Sequence, residues 1–183
     1  MILWLRMNEM SRYSQEEGLS PEDMIEDEPV IFLDIDGPLN TQRHMRNLTA
    51  LHGPSGRRDL YGPIFDPEAV DNLRDVVENT DAQIVISSTW RILMSIEEMQ
   101  EMWTERDLPG EIIDYTPRCG DAPRGWEIRK WLLANRVSQF ENYVIFDDDG
   151  DMLWWQRKNF LLVSFDVGIE SKHAKKAIHL LNQ

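Results

Sequence analysis

Five short apolar runs punctuate the chain, at residues 29–33, 82–86, 112–115, 143–146 and 160–163. Each is only four or five residues long and rich in Val, Ile, Leu or aromatic residues, which is the pattern of a strand buried on both faces. Longer stretches with helical spacing separate them. Asp66-Pro67-Glu68 reads as a helix start, with Asp66 at the N-cap and Pro67 at the first helical position. Val70, Leu73, Val76 and Val77 then share one helical face. Ile96, Met99, Met102 and Trp103 mark a second helix, residues 125–134 a third, and residues 171–181 a fourth that closes the chain. Strands alternating with helices predict an α/β fold: a three-layer α/β/α, Rossmann-like domain with a mainly parallel five-stranded sheet.

Two segments fall outside this rhythm. Residues 8–28 are polar and acidic (Glu16, Glu17, Glu22, Asp23, Glu26, Asp27, Glu28), so residues 1–28 read as a solvated lead-in to a domain spanning 29–183. The apolar patch Ile2, Leu3, Trp4, Leu5 ahead of it lacks a basic region and is too short for a signal peptide. Residues 40–65 carry Gly, Pro and Arg without a clear period and read as an irregular insertion, too short for a large cap domain.

Three of the apolar runs end in polar clusters: Asp34/Asp36, Ser87/Ser88/Thr89 and Asp147/Asp148. Ligands of open α/β sheets bind at the carboxyl ends of strands, near a switch in strand order, so clusters distant in sequence can converge there. A single acidic loop is an ordinary solvated turn. Three polar clusters at strand ends point instead to a site. Carboxylates packed together repel unless a hard cation neutralises them, and Mg²⁺ suits oxygen ligands and substrate phosphate alike. One carboxylate can attack phosphorus, a second can protonate the leaving oxygen and later activate water, and hydroxyls and loop amides can hold the phosphoryl oxygens.

Bulk composition narrows the partners. At 183 residues and 42% hydrophobic, the chain suits one domain with a real core. Its net charge of −14 opposes docking on a long nucleic-acid stretch, yet leaves room for a nucleotide or a strand end in a local basic pocket. The single cysteine, Cys119, excludes an intrachain disulfide and favours a reduced, cytoplasmic setting. No stretch has the length of a membrane span.

These residues resemble the motifs of the haloacid dehalogenase (HAD) superfamily. Phe32-Leu33-Asp34-Ile35-Asp36-Gly37 is similar to its first motif, Ile84-Val85-Ile86-Ser87 to its second, and Val144-Ile145-Phe146-Asp147-Asp148 to its fourth. The strings Ser87-Ser88-Thr89-Trp90-Arg91, Arg124-Gly125-Trp126-Glu127-Ile128 and Asp147-Asp148-Asp149-Gly150-Asp151-Met152 look like the small HAD domains of RNA-repair proteins, found in many phages and bacteria. They are similar in style to the phosphatase half of phage polynucleotide kinase-phosphatases. The likeness covers roughly residues 29 to 182.

The resemblance implies a Mg²⁺-dependent phosphatase. By position, Asp34 is the nucleophile and a metal ligand. Asp36 is the general acid and base, with its backbone carbonyl on the metal. Ser87 binds the phosphoryl group, helped by the amides of Gly37, Ser88 or Thr89; Arg124 supplies the basic third motif. Asp148 is a metal ligand, with Asp147 beside it in direct or indirect contact. Asp149 and Asp151 read as solvated. Pro38 stands where the family usually has Thr or Val, and removes one backbone donor from the loop.

For the substrate, Arg43, His44, Arg46, Arg57 and Arg58 are concentrated in an otherwise acidic chain and read as an anion-binding rim or a solvated loop; Arg91 reads as a substrate contact or a helix-surface residue. A nucleotide or nucleic-acid-end phosphate is the expected substrate. A metabolite or protein phosphate, transfer to an acceptor other than water, and a HAD-fold binding module without turnover are the alternatives. Trp126, Trp131, Trp154 and Trp155 read as core or interface, core being the more usual place, and the sequence leaves the oligomeric state open.

Overall fold

The computed structural model describes residues 29–53 and 58–183. The acidic lead-in, the Trp4 patch and Arg57 lie outside the described residues. Five strands, β1 (Val30–Leu33), β4 (Gln83–Ile86), β5 (Ile112–Tyr115), β6 (Tyr143–Asp147) and β7 (Phe160–Leu162), form one sheet in the order β5-β4-β1-β6-β7. Every pair in it is parallel. All five expected strands are present, and the sheet is wholly rather than mainly parallel.

The alternation of side chains along these strands fills both faces. Ile31, Leu33, Ile84, Ile86, Val144 and Phe146 face one core, completed by helices α2 (Pro67–Thr80), α3 (Ile96–Glu105) and α5 (Ser171–Leu181). Val30, Phe32, Val85, Tyr143 and Ile145 face the other, covered by α4 (Arg124–Ala134) through Ile128, Trp131 and Leu132. That is the three-layer α/β/α architecture. Asp66 caps α2 as expected, its carboxylate accepting from the Glu68 amide at 3.1 Å.

Register decides where the polar clusters emerge. Leu33 pairs with both Ile86 and Phe146, so the residues after them, Asp34, Ser87 and Asp147, come level at the carboxyl edge of the sheet. Asp34 and Ser87 follow the last residues of β1 and β4, while Asp147 is the last residue of β6 and pairs with Leu162. Strand order reverses at β1, where the chain has gone to β4 and β5 on one side before returning to β6 on the other.

The stretch 40–65 is more ordered than its sequence suggests. It contains a helix, α1 (Gln42–His52), and a short antiparallel ribbon of β2 (Arg58–Asp59) and β3 (Gly62–Pro63). Thr41 caps α1, its hydroxyl accepting from the His44 amide at 3.1 Å while donating to buried Asp66 at 2.6 Å. Only Leu48 of α1 is buried, so the helix leaves almost no apolar period to read. Arg106 holds the ribbon against the body, donating to Asp59 at 2.8 and 2.7 Å and lying 4.6 Å from the Phe65 ring centre. Of the tryptophans expected in the core, Trp131 is there, whereas Trp126 and Trp154 are 44% and 62% exposed.

Candidate active site

The loop after β1 begins with Asp34, whose amide donates to the Phe146 carbonyl at 3.0 Å, and whose carboxylate accepts from the Ile35 amide at 2.8 Å. The chain then turns sharply: the Leu39 and Asn40 amides both reach back to the Ile35 carbonyl. Gly37 makes this turn possible. Its φ is +92°, and a Cβ there would lie 2.6 Å from Cγ of Asp148. The clusters after β1 and at the end of β6 are thus packed backbone against side chain. Pro38, the departure from the family pattern, still contributes its carbonyl, which accepts from the Ile169 amide at 3.1 Å.

Asp34, Asp147 and Asp148 each offer a carboxylate oxygen within 4.8 Å of the others. Burial pushes the Asp34 carboxyl above its ordinary range, against the opposing pull of Arg124 and of a hydrogen bond from Ser88. Burial, and then repulsion from Asp34, pushes Asp147 up to about 7. Burial also raises Asp148. Oxygen Oδ2 of Asp147 is buried without a hydrogen-bond partner. Three hard oxygen donors with an unmet buried acceptor make a donor set suited to a hard divalent cation.

Arg124 faces this cluster from the first turn of α4. Its guanidinium nitrogens lie 3.8 Å from Asp34 and 3.8 Å from Asp147, in ion-pair range but beyond hydrogen bonding, and Nη1 is buried without a hydrogen-bond partner. Pro123 offers no side-chain cap to α4. Instead Asp151 accepts the Arg124 amide at 2.8 Å, so this residue positions the helix start rather than being merely solvated.

The second cluster divides between its two serines. Ser88 accepts from the Trp90 amide at 3.4 Å, and its hydroxyl is among the groups that pull the Asp34 carboxyl back down. Ser87 is wholly buried, with its hydroxyl unpartnered.

Asp36 stands apart from the three-carboxylate cluster. One oxygen accepts from Asn40 Nδ2 at 2.8 Å, the other from the Trp90 indole at 2.9 Å. Neither partner was among the expected site residues. The sequence signal was available for Trp90, which lies inside the string 87–91, and absent for Asn40.

The expected arginine rim does not gather here. Arg43 pairs with Asp66 at 3.2 Å and Glu68 at 2.8 Å; Arg46 pairs with Asp166. Arg91 is buried against Glu127 and Thr116, and Glu127 in turn accepts the Cys119 amide at 3.0 Å. These arginines are committed to structural carboxylates. Arg58 lies beside the site, on the ribbon.

No helix among the described residues is long and apolar enough to cross a membrane. No curated protein and no solved structure matches the chain. The family model for the HAD domain in Swiss Army Knife RNA repair proteins does match, over residues 30–174, a span that starts with β1 and runs through all three polar clusters into α5: the chain belongs to that family.

Proposed function

We propose that this chain is a Mg²⁺-dependent phosphomonoesterase working through an aspartyl-phosphate, with a nucleotide or nucleic-acid-end phosphate as its substrate. The observation that carries this reading is the division of labour between two aspartates two residues apart. Asp34 lies in the carboxylate cluster opposite Arg124, while the Asp36 carboxylate is held outside it by Trp90 and Asn40. One is placed to bond phosphorus, the other to move protons.

In the first half-reaction a carboxylate oxygen of Asp34 bonds to phosphorus as the bond from phosphorus to the leaving oxygen breaks, and Asp36 gives its proton to that oxygen. In the second, Asp36 takes a proton from water. The water oxygen bonds to phosphorus, the bond to Asp34 breaks, orthophosphate leaves, and both aspartates return to their starting forms. Ser88, the neighbouring loop amides and the free Nη1 of Arg124 are the donors for the phosphoryl oxygens. The side chains of Asp34, Asp147 and Asp148, with the main-chain carbonyl of Asp36, would hold the cation. When bound it would offset charge on the phosphoryl group.

The substrate class is supported by the family of RNA repair proteins and by the small insertion, which leaves the site open to an end group. Steady-state hydrolysis of an aryl phosphate, nucleotides and 3′- or 5′-phosphorylated oligonucleotides with Mg²⁺ tests it. Turnover abolished by Asp34→Asn is expected. Absence of turnover with Mg²⁺, Mn²⁺ and Co²⁺ across that panel would overturn it.

A further inference from the structure

A groove of about 690 Å³ opens beside the Asp36 carboxylate. Asp36 lines it directly, and so does Trp90, whose indole N–H donates to the Asp36 carboxylate. One wall is the β2–β3 ribbon, with Leu60 and Tyr61; the other is the approach to α3, with Leu93 and Met94. These walls are fixed relative to one another. Arg106, at the end of α3, clasps Asp59 of the ribbon, and its guanidinium lies 5.9 Å from the Tyr61 ring centre.

If Asp36 protonates the leaving oxygen, the leaving group lies against Asp36, and this groove is the open volume there. Its surface has two chemical features. Leu60 and Leu93 are 88% and 78% exposed, one on each wall, which is unfavourable unless an apolar face covers them. Beyond them, Glu98, Glu101 and Glu105 line the groove from successive turns of α3, with Arg58 the one cation in the lining among the described residues. Glu98 is half engaged in capping the Ser95 amide at 2.7 Å. Glu101 lies one turn from Glu98 and from Glu105.

We propose that the groove takes a single nucleoside as the leaving group, so that the preferred substrate is a mononucleotide bearing an amino-substituted base rather than a phosphorylated strand. This rests on reading the site as a phosphatase. The flat base covers Leu60 and Leu93, and its exocyclic amine donates to the glutamate rim. A second phosphate on the leaving-group side would meet that rim and be repelled.

The test compares kcat/KM for 5′-CMP and 3′-CMP with that for the dinucleotides pCpC and CpCp carrying the same terminal phosphates, each relative to an aryl phosphate. The mononucleotides are expected to lead by about tenfold at low salt, with the gap narrowing as salt screens the rim. Glu101→Lys is expected to shift the ratio toward the dinucleotides by about threefold or more. Dinucleotides hydrolysed as well as mononucleotides, or a ratio indifferent to both salt and Glu101→Lys, would overturn the groove assignment while aryl phosphate turnover leaves the phosphatase reading standing. No turnover of the aryl phosphate, the mononucleotides or the dinucleotides would overturn both.

Discussion

The indole N–H of Trp90 donates to Oδ2 of Asp36 at 2.9 Å, from a residue 54 positions away. With Asn40 on the other oxygen, the carboxylate is gripped at both ends and kept out of the neighbouring acidic cluster. A proton-transfer group must be aimed as well as present, and the indole does the aiming. Trp90→Phe keeps an aromatic ring against Phe65, now 5.7 Å away centre to centre, but removes the donor. Hydrogen bonds to charged groups contribute about 1.5–3 kcal/mol, so kcat for an aryl phosphate should fall about tenfold or more with KM little changed. Steady-state kinetics on the purified variant reads this directly.

Buried like charges make the metal-free site a liability to the fold. Asp147 is 1% exposed, with its carboxyl pushed to about 7 by burial and by Asp34. Asp147→Asn removes one of the repelling charges while keeping an acceptor for the Asp149 amide, now bonded at 2.9 Å. The metal-free variant should be more stable than the wild type by about 1–2 kcal/mol in urea unfolding. Millimolar Mg²⁺ should stabilise the wild type and do much less for the variant, since only ligands that bind the native state raise its stability. Equal responses of the two proteins to Mg²⁺ would count against Asp147 as part of the cation site.

Gly37 couples the Asp34/Asp36 and Asp147/Asp148 clusters. Ala at φ +92° would itself cost about 1–2 kcal/mol, and its Cβ would collide with Asp148 at 2.6 Å. Relief requires moving Asp148 out of the cluster. Gly37→Ala should therefore raise the Mg²⁺ concentration needed for half-maximal activity as well as lower the unfolding midpoint. A Mg²⁺ titration of activity separates the two effects.

Much of this site is legible in the sequence because its elements are short-range. Strand ends are marked by the passage from apolar to acidic residues, and the parallel α/β pattern implies that such ends share an edge. What was not legible depends on tertiary contact. Ser87 and Ser88 point to opposite faces at the end of β4, and that the Ser87 hydroxyl ends up buried without a partner is decided by packing rather than by local pattern. The arginine rim dissolved because Arg43 and Arg46 find carboxylates 25 and 120 residues away, which no local pattern announces. Helix α1 was hidden because it buries only Leu48, and Trp126 and Trp154 misled because aromatic content alone does not say which face a ring occupies.

Arg91, expected among the substrate contacts, has a different task. Its side chain and that of Glu127 are 8% and 7% exposed and pair across the space between the turn after β4 and α4. Removing one partner strands the other charge, so Arg91→Met should destabilise by about 3–5 kcal/mol. Arg91→Met combined with Glu127→Gln should recover a large part, because the amide oxygen still serves the Cys119 amide. A double-mutant cycle by chemical denaturation measures the coupling. Additive losses would show that the pair is not an energetic unit.

His173 gives the fold a pH dependence separate from the chemistry. Its Nδ1 accepts the Glu170 amide at 3.0 Å in the cap of α5, a bond that only an unprotonated nitrogen can make. Burial, and then Lys172 and Lys176, hold its folded-state pKa below 6.5, with Glu170 pulling the other way. The unfolded chain therefore takes up a proton near pH 6.5 that the native state still refuses. Stability from this group is complete above that pH and is lost as pH falls toward the depressed folded value. Glu170, lowered chiefly by its bond to Lys172, adds its own loss only below about 4.5. Asp147 acts in the opposite sense near pH 7, so the comparison must be made at equal Mg²⁺ between wild type and His173→Gln. Denaturation at pH 7.5 and 5.5 should show the wild type losing more stability than the variant. An equal loss in both would mean that His173 protonates as readily folded as unfolded.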